Sequence, residues 1–121
     1  MYNNLFEKFE SEVMDYILNE EPKVSEALNR QYKSAKVISR EFTRVGFFTD
    51  YEIEDTSLKI PAEFSQPTGR LQVSFPGLVY GAGFILFFKD GLISMLEGYT
   101  NAGELWPEDI TGYIFHPNGV Q

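Results

Sequence analysis

GFILFFKDGLISMLEGYT, residues 83–100, decides the fold. Two runs of aromatic and branched residues flank Asp90-Gly91, a dipeptide suited to the left-handed backbone of a two-residue hairpin turn. Such a turn sets Lys89 opposite Leu92, Phe87 opposite Ser94 and Ile85 opposite Leu96. The other face then carries Phe84, Leu86, Phe88, Ile93, Met95 and Tyr99, with Glu97 opposite Phe84. Both faces read as largely apolar, so the hairpin is expected at the centre of a sheet and covered on both sides. Either a sheet curling over its own concave face or a subunit interface would supply that cover.

Working outward, residues 71–75 alternate, with Leu71, Val73 and Phe75 on one side. Pro76-Gly77 marks a turn before a strand expected over 80–89, and the returning strand spans 92–99. A short strand is expected near 36–42, with Ile38 and Phe42 on one side, then a turn at 44–46 and a strand from Phe47 to Glu54. A last strand is expected over 111–116. Residues 55–68, with Pro61 and Pro67, read as a loop within the domain.

Upstream the period changes to that of a helix. Leu5, Phe6, Phe9, Val13, Tyr16 and Ile17 make one apolar stripe over residues 4–18. Asn4 and Glu7 have the spacing of a capping box. The stretch at 19–22 ends this helix, and Pro22 suits the first turn of the next because its missing N–H needs no partner there. Val24, Ala27, Leu28, Gln31, Tyr32 and Ala35 continue the pattern. Helices first and strands afterwards predict one α+β domain over 1–121. Two helices over 4–35 pack on a curved antiparallel sheet of five to seven strands within 36–121.

Composition narrows the chemistry. A chain of 121 residues with 43% apolar and 16% aromatic residues has material for one core, and a domain this size hides roughly two-thirds of its unfolded surface. The absence of cysteine excludes disulfides, thiolate zinc sites and a cysteine nucleophile, and suits a reducing cytosol. No basic region followed by an apolar run opens the chain, and no apolar run approaches the roughly 20 residues needed to span a bilayer. A cytoplasmic protein without a membrane segment is expected. With 18 acidic against 10 basic residues, a net charge of −8 repels nucleic acid and attracts a basic protein.

Catalytic constellations do not emerge. His116 is the only histidine, and no nucleophile elbow accompanies it. Gly81-Ala82-Gly83 fails as a dinucleotide fingerprint, because Leu86 holds the third glycine position and a strand continues where a helix should open. Asp50, Glu52 and Glu54 have the first spacings of a calcium loop, but Asp55 stands where its glycine belongs and Pro61 where its last carboxylate does. No metal, cofactor or catalytic residue is expected.

Two acidic stretches are candidate partner-binding surfaces. Asp50, Glu52 and Glu54 alternate with Tyr51 and Ile53, so on a strand the three carboxylates share one face about 7 Å apart. Such a stripe is either solvated or covered by something positive. Glu104, Glu108 and Asp109 surround Trp106, which either anchors an interface or folds back onto the core. Glu97 has three readings: an ion pair with Arg40, Arg44 or Arg70, an interface residue, or an acid beside Tyr99 in a ligand pocket.

The stretches 41–49 (EFTRVGFFT), 80–100 and 106–109 (WPED) resemble short bacterial proteins of about this length, some of them encoded beside contact-dependent growth inhibition or other polymorphic toxins. Arg44 stands where a glycine is expected, which bears on the turn alone. The resemblance implies a cytosolic immunity protein that binds and blocks the C-terminal domain of one toxin, often a nuclease.

Overall fold

The structure, a computed structural model, describes residues 4–117. Helix α1 runs Asn4–Leu18 and α2 Pro22–Ser34. Six strands follow: β1 Lys36–Phe42, β2 Gly46–Glu52, β3 Gln72–Ser74, β4 Ala82–Lys89, β5 Leu92–Thr100 and β6 Ile114–His116. They form one antiparallel sheet in the order β1-β2-β5-β4-β3-β6, so the fold is the α+β arrangement expected. The side chain of Asn4, half of the expected capping box, lies outside the described residues.

One face of α1 enters the core: Phe6, Phe9, Val13, Met14, Ile17 and Leu18 are buried. Leu5 and Tyr16, expected on the stripe, are instead left exposed. Phe9 sits among Phe75, Phe84, Tyr113 and Phe115, with ring centroids 4.8–6.1 Å away, mostly edge to face. Gln31 of α2 is wholly buried and fully satisfied. Its amide nitrogen donates to the carbonyls of Leu58 and Gly91, and its oxygen accepts from Ile93 N–H. One polar side chain thereby fixes α2 to the hairpin and to the loop that passes beneath it.

The central hairpin forms, with Asp90 and Gly91 both at positive φ (53° and 78°), as the turn demands. Its register departs from strict alternation. Lys89 faces Leu92 and Phe88 faces Ile93, but Phe87 then faces Met95, so Ser94 is an extra residue in β5. From this bulge on, Ile85 faces Glu97 and Phe84 faces Gly98, correcting the expected pairs of Phe87 with Ser94, Ile85 with Leu96 and Phe84 with Glu97. The physical reason lies in what alternation would bury. Ile93 is in the core, and an unbroken period of two would carry Glu97 into the core behind it. The bulge turns Leu96, Gly98 and Thr100 inward instead and rotates Glu97 out.

A second correction concerns cover. The helices lie on one face of the sheet, and no helix or strand among the described residues covers the other. Ile85, Phe87, Met95 and Tyr99 on that face are only half-buried. The hairpin is central in the sheet and open on one side.

Candidate functional site

The uncovered face is built by alternation within β1, β2, β5 and β4. While Phe47, Thr49 and Tyr51 of β2 point to the helices and are buried, Phe48, Asp50 and Glu52 point away. Strand pairing then assembles two rows across the sheet. One reads Glu41, Phe48, Glu97, Ile85; the next reads Ser39, Asp50, Met95, Phe87. Three carboxylates alternate with five half-exposed apolar side chains once Tyr99 is included, and no lysine or arginine stands in either row.

Local chemistry holds these groups. Ser39 Oγ donates to Asp50 Oδ2 at 2.9 Å. The Tyr99 ring lies across Gly83, where a Cβ would collide with it, so that glycine is the space the ring occupies. Glu97 has no ion pair or hydrogen bond among the described residues, which overturns the expected arginine partner. Arg40 is committed elsewhere: its guanidinium grips buried Glu10 at 2.6 and 3.2 Å, and Thr49 Oγ1 donates to the same carboxylate. Burial first, and then the Glu10 charge, pushes the Tyr32 hydroxyl up to about 12 and raises Tyr51 as well.

Coulomb repulsion decides what this face can accept. Unit charges about 7 Å apart repel by roughly 0.6 kcal/mol in water, and by about 2.4 kcal/mol where the effective dielectric falls to 20. A neutral or acidic partner drying the face would suffer that increase. A basic one would reverse its sign.

The remaining expected site residues separate. Glu52 shares the parity of Asp50, but Glu54 lies beyond the end of β2 and pairs with Lys36 at 3.1 Å on the surface. The Glu104 carboxylate accepts from the backbone N–H groups of Val79 and Tyr80 at 2.9 and 3.0 Å, so it caps a turn. Trp106 folds back onto the core, 5.3 Å from Phe47 and 5.8 Å from Phe75 between ring centroids. Glu108 and Asp109 are exposed and line a different cavity, away from Glu97.

Among the described residues, five cavities of about 310–530 Å³ have neither Glu97 nor Tyr99 in their linings. His116 Nε2 lies 2.8 Å from Ser74 Oγ, a contact joining β6 to β3, and neither residue lines those cavities. Among the described residues, no three histidine or carboxylate side chains are placed to hold a metal ion, and no helix is long and apolar enough to cross a membrane. No family model, curated protein or solved structure matches the chain.

Proposed function

We propose that this chain is an acidic binding protein, most concretely a cytosolic immunity protein that binds and neutralises a cognate toxin domain such as a nuclease. The observation that carries this reading is the open sheet face, where Glu41, Asp50 and Glu97 alternate with Phe48, Ile85, Phe87 and Met95 without an intervening cation. Aromatic and aliphatic groups supply area to bury, and the carboxylates select a basic partner and steer its approach. A nuclease site is basic because it must hold phosphates, so a face of carboxylates competes for the same groups. The resemblance of 41–49, 80–100 and 106–109 to short bacterial proteins, some of them encoded beside polymorphic toxins, points the same way.

The test is protection in cells. Where a toxin gene adjoins this one, co-expression with its C-terminal domain should restore growth for the wild-type chain. Asp50→Lys/Glu97→Lys, folded normally by circular dichroism, should lose that protection. Equal protection by the variant would overturn the assignment of this face.

A further inference from the structure

We infer that a second site, the cavity between the start of α1, the end of β1 and the loop at 105–110, accepts an arginine side chain of the same basic partner. The inference rests on the partner being basic, as proposed above, and places a separate anchor away from the open face. The cavity encloses about 490 Å³. Three large apolar residues of this small domain converge on it while remaining exposed: Leu5 at 49%, Phe42 at 40% and Leu105 at 61%. Trp106 forms part of the wall, and Glu108 and Asp109 are among the other lining residues.

Each part suits a long cationic side chain. Leu5, Phe42 and Leu105 offer surface to the methylene stem, which arginine buries while its charged end stays near water. Phe42, which also packs on Phe6 and Phe47, and the half-buried Trp106 make part of the wall aromatic, and such a wall suits a planar guanidinium better than an ammonium. Glu108 and Asp109 are both exposed and make no ion pair or hydrogen bond among the described residues, so their charge is available. Arg44 also lines the cavity, and two carboxylates against one guanidinium leave a net negative charge to be met. The molecule already uses this combination internally: the Arg40 guanidinium lies 5.8 Å from the centroid of Phe6 while Glu10 binds it. A lysine would fit the charge, but it forgoes the stacking.

Trp106 is the only tryptophan, so the site reports on itself. The full chain is titrated with N-acetyl-arginine amide and, in parallel, with N-acetyl-citrulline amide, its neutral isostere, following tryptophan fluorescence at low ionic strength. Saturable binding at millimolar concentration is expected, about fivefold or more tighter for the arginine probe. Glu108→Gln/Asp109→Asn should reduce arginine to the citrulline level without changing the melting temperature. Two-dimensional NMR of the same titrations should place the shifted amides at Phe42, Leu105 and Trp106. Equal affinity for the two probes, or an arginine affinity indifferent to the double substitution, would overturn the inference. Because the probe binds without the partner, this result is independent of the growth test, whose variants lie on the other face of the sheet.

Discussion

Replacing Glu10 by glutamine should destabilise the fold by about 3 kcal/mol. The carboxylate is 3% exposed at its side chain and receives two bonds from Arg40 and one from Thr49. Removing one member of a buried ion pair typically costs about 3–5 kcal/mol, because the other charge stays desolvated. The low end applies here for two reasons. The Arg40 side chain keeps 13% exposure, and Glu7, 3.9 Å away on the surface, is a weaker replacement. For a chain of this length 1 kcal/mol corresponds to about 4 °C, so the melting temperature should fall by roughly 12 °C in a thermal scan at neutral pH. A double variant separates the charge from the packing. Glu10→Leu/Arg40→Met removes both ions and should recover most of the loss, leaving about 1 kcal/mol for the orphaned Thr49 hydroxyl. A Glu10→Gln protein as stable as wild type would refute the reasoning, as would a double variant no better than the single one.

Glu104→Ala frees the N–H groups of Val79 and Tyr80, and chemical denaturation should register a loss of about 1–2 kcal/mol. Partner affinity, measured where the variant is fully folded, should be unchanged. Alkaline pH should also destabilise the chain. Tyr32 and Tyr113 each titrate near 12 when folded, against about 10 when unfolded. Between those values the unfolded chain has released protons that the native one retains, so stability is intact below pH 10 and falls as pH rises toward 12. Absorbance of phenolate across a pH series should show these two tyrosines ionising late or only on unfolding.

The α+β order and the hairpin were legible because both rest on periodicity and on Asp90-Gly91, signals local in sequence. The register was not. The bulge at Ser94 answers a conflict between Ile93 and Glu97 that appears only once one face is known to be the core. For the same reason Glu97 looked like a residue needing an arginine, when rotation out of the core had already removed the need. Glu10 left a visible trace as a charge inside the α1 stripe, but its partners are 30 and 39 residues away, beyond what spacing reveals. Asp50 and Glu52 were legible as a stripe, and Trp106 as either anchor or core. Glu41, Phe48, Ile85, Phe87 and Met95 joined the candidate face only through the pairing of β1, β2, β5 and β4.

The most direct test of the central claim is the association rate, at two salt concentrations, between this protein and the toxin domain proposed as its partner. Wild type should bind quickly at low salt and more slowly at physiological ionic strength, where screening acts beyond about 8 Å. Asp50→Lys/Glu97→Lys should slow association by about tenfold and flatten the salt dependence, with at most a small change in melting temperature, because both side chains are half-exposed, neither makes an ion pair, and only the bond from Ser39 to Asp50 is lost. An on-rate indifferent to salt and to both substitutions would contradict docking on the open face and leave the chain's acidity without a role in recognition.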